Sequence, residues 1–387
     1  MKTSFIIFFS IFFLLYFLVN AYIFRRGWQA IPTGSPWRTV YAAVFMFGAL
    51  AFIAGRFLER TDWTGTATVL VWVGAFWLAL MLYFILGAVL VDLLRLLHRW
   101  FHIWPATVTG NLPRARLVAL GVVLAATALV VGLGHWNARS PQVRRLALTI
   151  PKAVEGRPSL RIALASDIHL GTLVGNSLVG DMVRTMTGLQ PDLILLPGDI
   201  VDEDLEPVIR QDLGRKLLEL RVPLGVFACT GNHEYIGGAE PAVRYLEAHG
   251  IRVLRDEAVE LPGGIWLAGR EDRAKGRFTG AERKPLAEVL RAADRARPVI
   301  LMDHQPFRLD EAAGHGVDLQ VSGHTHHGQL WPLSLITRSI YPISYGYGRI
   351  GGTQVYVSCG FGTWGPPVRV GNRPEIVLIE IAFSPQS

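Results

Sequence analysis

Gly323-His324-Thr325-His326 closes the apolar run Val317 to Val321. A strand ending there delivers two imidazoles, one residue apart, into the loop beyond its carboxyl end, where open α/β sheets gather their ligands. Two such imidazoles are part of a metal site and need partners. Upstream, four more polar clusters each follow a short apolar run: Asp167-Ile168-His169, Gly198-Asp199, Gly231-Asn232-His233-Glu234 and Asp303-His304. Each lies at or just beyond an expected strand end.

The apolar runs themselves fall at Val143 to Ile150, Leu160 to Ser166, Leu193 to Leu196, Leu224 to Cys229, Ile265 to Ala268, Val299 to Met302, Val317 to Val321, Val355 to Val357 and Ile376 to Ile381. Helix-like stretches lie between several of them, at Asn176 to Leu189, Pro207 to Leu220, Glu240 to His249 and Arg283 to Ala296. Strand and helix in alternation specify an α/β sheet with helices on its faces. The stretch Trp331 to Pro374, rich in Gly, Pro and Tyr, carries no long helical period, and loops of that length in a compact domain are often functional.

Before Val143 the chain changes character. Apolar spans are expected near 4–24, 39–57, 64–91 and 117–136, each bordered by charge, and about 20 apolar residues cross a bilayer. The first run ends in Asn20-Ala21-Tyr22-Ile23-Phe24 without the small residues of a cleavage point, so it reads as a retained helix. Trp28, Trp37, Trp63, Trp100, Trp104 and Trp136 fall near the span ends, where amphipathic rings sit best. No span has an ionisable acidic or basic residue at its middle, which argues for anchoring over an ion path. The expected division is therefore a transmembrane region at 1–138, a linker at 139–142 around Ser140-Pro141, and a second domain at 143–387.

Charge follows the same division. Residues 1–140 hold eleven Lys or Arg against three acidic residues, whereas the remainder is nearly balanced at 27 against 28. The net charge of +7 thus flanks apolar segments and does not form a nucleic-acid-binding face; no nucleic-acid partner is expected. One Lys precedes the first span and Arg25-Arg26 follow it, which favours placing the second domain outside the cytoplasm. Cys229 and Cys359 each sit in an apolar run and read as buried small hydrophobes.

Taken singly, the polar clusters have ordinary structural readings. Gly198-Asp199 is common turn vocabulary, and Asn232 or Asp199 can cap a helix. Asp167 and His169, two apart in an extended stretch, project to one side but could be a turn carboxylate and a satisfied histidine. Together, five clusters supply oxygen and nitrogen ligands to one edge of a sheet.

That ordered series, Asp167-Ile168-His169, Gly198-Asp199, Gly231-Asn232-His233-Glu234, His304 and Gly323-His324-Thr325-His326, resembles the signature of the calcineurin-like metallophosphoesterases over roughly residues 143–383. The tail Ser358 to Pro367, with Arg369 and Pro374-Glu375-Ile376, is similar to the membrane-associated or exported bacterial branch, which includes enzymes acting on lipid-linked or nucleotide-sugar diphosphates. The resemblance implies a sandwich of two mixed β-sheets flanked by helices and a two-metal centre. One ion would take Asp167, His169, Asp199 and His326; the other would take Asp199, Asn232, His304 and His324. Asp199 then bridges, as two cations about 3.5–4 Å apart require an anion between them. An activated hydroxide would attack a phosphodiester, phosphomonoester or pyrophosphate, lipid-linked substrates included, while His233 would stabilise or protonate the leaving oxygen.

Imidazole, carboxylate and amide oxygen without thiolate suit Mn, Fe or Zn. Glu234 and Asp303 are expected to orient imidazoles by accepting a ring N–H. This chain has His327 where relatives often have glycine, and it reads as a loop residue or a substrate contact. Arg369, Arg270 and Arg277 are candidate phosphate contacts. Trp331, Tyr341, Tyr345, Tyr347 and Trp364 could form an apolar lip for a lipid-like group. The alternative to hydrolysis is a non-catalytic sensor or scaffold domain that binds metal or ligand on a membrane bundle.

Overall fold

The computed structural model describes residues 2–59 and 61–384; in the first helix, side chains are described for Ile7 and from Ser10 onward. The chain divides into two compact units, Met1–Trp136 with Gly365–Val368, and Asn137–Trp364 with Arg369–Ser387.

The first unit is helical: α1 (Lys2–Ala30), α2 (Trp37–Leu58), α3 (Thr64–Phe101), the single turn α4 (Ala106–Thr109) and α5 (Leu112–Ala138). Each expected span falls inside one of the long helices. Among the described residues three of them, α2, α3 and α5, are long and apolar enough to cross a membrane, where four were expected. The expected span 4–24 falls in α1 (Lys2–Ala30), whose first side chains lie outside the described residues. Small residues let α2 and α3 approach at backbone distance, because a Cβ on Gly74 would stand 2.1 Å from the Phe52 nitrogen. Phe45 and Trp77 meet edge to face at 4.7 Å, and the Trp77 indole N–H donates to Asn20 Oδ1 at 3.0 Å, satisfying a buried polar pair.

The second unit is built on two six-stranded mixed sheets. The first has strands β1 (Gln142–Ile150), β2 (Ser159–Leu164), β3 (Leu193–Pro197), β4 (Val226–Cys229), β5 (Arg252–Val253) and β12 (Glu375–Phe383) in the order β1-β12-β2-β3-β4-β5. The second has β6 (Glu257–Leu261), β7 (Ile265–Gly269), β8 (Val299–Met302), β9 (Leu319–Ser322), β10 (Gly346–Ile350) and β11 (Thr353–Val357) in the order β10-β11-β9-β8-β7-β6. Strands β2 to β5 run parallel, as do β7, β8, β9 and β11.

Period-two alternation assigns each side chain to a layer. Ile162, Leu164, Leu193, Leu195, Ile300 and Met302 meet between the sheets. Their neighbours Ala163, Ile194 and Leu196 face the outer layer formed by helices α6 (Asn176–Gly188), α7 (Glu206–Arg210), α8 (Leu213–Leu217) and α10 (Ala239–Ala248), the last preceded by the short α9 (Asn232–Gly237). Val299 and Leu301 face the opposite outer layer.

All nine expected strands form. The three that composition did not reveal, β5, β6 and β10, are short or polar edge strands, where alternation is weakest. The expected helix Pro207 to Leu220 breaks into α7 and α8 at Asp212, whose φ of 51° ends the right-handed run. Of the expected helix Arg283 to Ala296 only Leu286–Val289 is helical. Its start is drawn off by Asp256, which accepts the Lys284 N–H at 2.8 Å, and its end by Asp294, which accepts the Ala296 N–H at 2.9 Å. Both cysteines are free and buried.

Candidate metal centre

Because the central strands of each sheet are parallel, their carboxyl ends open on one side, and every predicted ligand lies there. Asp167 and His169 follow β2, Asp199 follows β3, Asn232 and His233 open α9 after β4, His304 follows β8, and His324 and His326 follow β9. Asp167, His169, Asp199, His233, His304 and His326 are buried. Five of the predicted ligands hold left-handed backbone: φ is 50° at Asp167, 52° at His169, 50° at Asp199, 71° at His324 and 45° at His326. Non-glycine residues adopt that region at a cost of about 1–3 kcal/mol each, and such strain collects at functional sites. Glycine is required beside them, since a Cβ on Gly231 would lie 2.2 Å from Asp199 Oδ1 and one on Gly323 would lie 2.2 Å from Asp167 Oδ2.

The side chains form overlapping groups whose ligating atoms lie within 4.8 Å of one another: Asp167, His169 and His326; His169, Asp199 and His233; Asp199, His304 and His324. Asp199 belongs to two of them. His169 Nε2 and His326 Nε2 are 3.1 Å apart, and His326 Nε2 is 3.5 Å from Asp167 Oδ1. The most telling contact is that of His304. Its Nδ1 lies 2.8 Å from the Pro197 carbonyl, which makes Nδ1 the protonated nitrogen and leaves a lone pair on Nε2. That Nε2 faces Asp199 Oδ2 at 3.0 Å. Two acceptors cannot face each other at that distance without a cation between them, either a proton or a metal ion. Asn232 Oδ1 is likewise buried without a hydrogen-bond partner. The donor set of carboxylate, imidazole and amide oxygen therefore fits divalent ions.

The electrostatics carry the same imprint. Burial pushes the Asp199 carboxyl up, but His304 and His233 outweigh it and hold the group well below the carboxylate range. Burial pushes His304 down while Asp199 raises it well above the imidazole range. His324, depressed by burial and by His304 to about 3, stays neutral with its lone pair free. Burial, His169 and Arg369 also keep His326 neutral. Burial raises Asp167, whose Oδ2 accepts the Ser166 hydroxyl at 2.5 Å and whose Oδ1 accepts the His324 N–H at 2.8 Å.

His233 lies beside this cradle, its ring centroid 4.6 Å from that of His169 and 6.1 Å from that of Trp364. Burial lowers its pKa, yet Asp199 and Asp202 raise it to about 9. Asp202 is the residue that sequence reading missed. Its Oδ1 is 3.2 Å from His233 Nδ1 and 3.4 Å from His169 Nδ1, so one carboxylate stands against both rings. Its only signal was a place in the same loop, three residues after Asp199.

Several expectations about surrounding residues need correction. Glu234 touches no imidazole. Its two oxygens accept the backbone N–H groups of Asp199, Ile200, Val201 and Gly231 at 2.7–3.0 Å, tying the β3 loop to the start of α9. Asp303 pairs with Arg283 at 2.9 Å instead of orienting a ring. Arg369 is fully buried and donates to the carbonyls of Gly360 and Gly362 and to Asn372 Oδ1, with one nitrogen 3.3 Å from His326 Nδ1. It braces the ligand loop from beneath and has no face to offer a substrate. Arg270 is buried among Asp256, Asp303 and Glu311. His327 has Arg338 and Ser344 at its two nitrogens, each at 3.4 Å.

A two-sheet α/β sandwich with a histidine-rich cradle at its shared strand ends presents a candidate metal site. The family model for calcineurin-like phosphoesterases matches residues 160–328, a range that contains all seven predicted ligands and His233. An Aquifex aeolicus protein named "Uncharacterized metallophosphoesterase" is 36% identical over 234 residues, covering 60% of this chain and 87% of that one. A zebrafish "Transmembrane protein with metallophosphoesterase domain" is 30% identical over 387 residues, covering 94% of this chain and 86% of its own. A Helicobacter pylori "Uncharacterized metallophosphoesterase" is 35% identical over 228 residues, covering 57% of this chain and 60% of that relative's length. The chain belongs to the calcineurin-like phosphoesterase family, and its apolar helices make it a membrane protein.

Proposed function

We propose that this protein is a membrane-anchored phosphoester hydrolase with a dinuclear metal centre. The observation that carries the reading is the His304 Nε2 to Asp199 Oδ2 approach at 3.0 Å, with the opposite imidazole nitrogen committed to Pro197. Asp167, His169, Asp199 and His326 would hold one ion; Asp199, Asn232, His304 and His324 would hold the other. When bound, two such ions supply Lewis-acid polarisation of a phosphoryl oxygen and lower the pKa of water. Mn, Fe and Zn all suit the donors.

The chain's own groups do the remaining work. His233, held by Asp202, is oriented to give a proton to the leaving oxygen, and burial of the cradle keeps bulk water from screening these charges. Asp202 keeps His169 and His233 in fixed register while substrate enters.

Lipid-linked phosphate or pyrophosphate is the favoured substrate class. Exposed Trp331, Leu335, Ile336, Ile340 and Trp364 support it. Trp331 and Trp364 sit on loops joined through Gln329, which exchanges two hydrogen bonds with Trp364, and Trp364 lies beside His233. Leu335, Ile336 and Ile340 belong to the short helix Ser334–Ile340. Exposed apolar side chains of this kind suit a substrate that is apolar at one end and anionic at the other. The charge pattern around the first span supports an extracytoplasmic catalytic domain.

The test is hydrolysis by the metal-reconstituted full chain of lipid diphosphates, nucleotides and simple chromogenic esters, side by side. Asp199→Asn and His233→Ala are expected to abolish turnover. Activity surviving both changes would remove the hydrolase reading, and a preference for nucleotides would remove the lipid one.

A further inference from the structure

Within the helical unit a half-open cleft, with a cavity volume of about 80 Å³, is lined by α1, α2, α3 and α5. Its walls change character along their length, and two helices agree on the direction. On α3 the lining passes from Phe84 and Ala88 to Asp92 and Arg95; on α5 it passes from Leu124 and Leu120 to Arg116. The spacing of three to four residues puts each series on one helix face. Helix α1 adds Arg26 to the lining.

The charged end is not balanced. Asp92 accepts the Tyr22 hydroxyl at 2.5 Å and pairs with both Arg26 and Arg95. One carboxylate is thus shared by two guanidinium groups, and Arg116, which has no carboxylate partner among the described residues, brings the net charge there to +2. Arg26 Nε is buried with no hydrogen-bond partner. All four charged residues flank apolar runs on the side of the loops joining α1 to α2 and α3 to α5, the level at which headgroups lie.

We propose that this cleft is a binding site for an anionic phospholipid. Arg26, Arg95 and Arg116 take the phosphate, and an acyl chain lies along the walls formed by Phe84, Ala88, Leu120 and Leu124. Guanidinium forks match phosphate oxygens, and basic pockets between membrane helices select anionic headgroups. A free anion would leave the apolar length of the cleft unfilled. A zwitterionic lipid would bring a cation to an end that already has an excess of them. The site is separate from the metal cradle and does not depend on hydrolysis.

The test uses the full chain purified in detergent, offered phosphatidylglycerol and phosphatidylcholine in equal amounts, with retained lipid counted by native mass spectrometry. Phosphatidylglycerol is expected to be retained about tenfold over phosphatidylcholine. Arg116→Gln, an exposed change that leaves the Asp92 pairs intact, is expected to weaken that retention about fivefold, the share of one cation near a headgroup. Ala119→Phe fills the cleft without altering charge and is expected to abolish retention while helix content by circular dichroism stays unchanged. Equal retention of the two lipids, or anionic lipid held undiminished by Arg116→Gln, would overturn the proposal. Displacement of the lipid by millimolar inorganic phosphate would also overturn it, in favour of a plain anion site.

Discussion

Replacing Glu234 with Gln tests how the ligand loops are held. In the native chain Oε2 accepts the N–H groups of Asp199 at 3.0 Å and Gly231 at 2.7 Å, and Oε1 accepts those of Ile200 at 2.7 Å and Val201 at 2.9 Å. Burial and Asp199 push the carboxyl pKa up while the backbone donors oppose them. With four donors on two oxygens no acceptor position remains for a carboxyl proton to share, so the ionised form is the one that fits. Glutamine keeps the shape but has one oxygen. Whichever way its amide turns, two buried N–H groups lose a charged acceptor and meet another donor. At about 1.5–3 kcal/mol for each hydrogen bond to a charged group, the loss is about 3–6 kcal/mol. For a domain of this size that lowers the thermal midpoint by roughly 10 °C. Thermal unfolding of the full chain, followed by near-ultraviolet circular dichroism with and without added Mn, is the assay. A midpoint within about 3 °C of the parent protein would show that Glu234 does not organise these loops.

Four further outcomes are expected. Asp202→Asn removes the shared carboxylate behind His169 and His233 and should lower kcat by about 10- to 100-fold with KM nearly unchanged; Asp202→Glu should recover part of it, and steady-state kinetics would expose a KM effect if the residue instead contacts substrate. Gly231→Ala drives a methyl toward Asp199 Oδ1 and should reduce bound metal, measured by plasma mass spectrometry; unchanged metal content would refute the close approach. Chelation of divalent ions should lower the midpoint, since ions that bind only the folded chain at a thousandfold excess over Kd stabilise it by about 4 kcal/mol, and an unmoved midpoint would count against resident metal. In the helical unit, Gly74→Ala pushes a methyl onto the Phe52 backbone and should cost about 1–3 kcal/mol of stability in detergent, whereas a neutral result would mean α2 and α3 pack less closely.

The division into a helical and an α/β unit was legible because hydropathy and charge change together near residue 140, and both depend on local composition alone. The central strands were legible for a related reason: a strand buried on both faces is a short apolar run, and Ile162, Ile194 and Ile300 announce it without reference to neighbours. So was the place of the polar clusters, since a cluster at the end of such a run has little choice but to sit at the sheet's edge. What a long or charged side chain faces was not legible. Glu234 reads as a partner for an imidazole and is a buried acceptor for four backbone donors; Arg369 reads as a phosphate contact and is fully enclosed beside His326. Asp202 looks like one more acid in an acidic loop until His169 and His233, 33 and 31 residues from it along the chain, turn out to share it. Local sequence determines which residues reach the strand ends, because burial period and chain reach are local quantities. Only the tertiary structure decides which charges meet, because the partners come from loops that lie far apart along the chain.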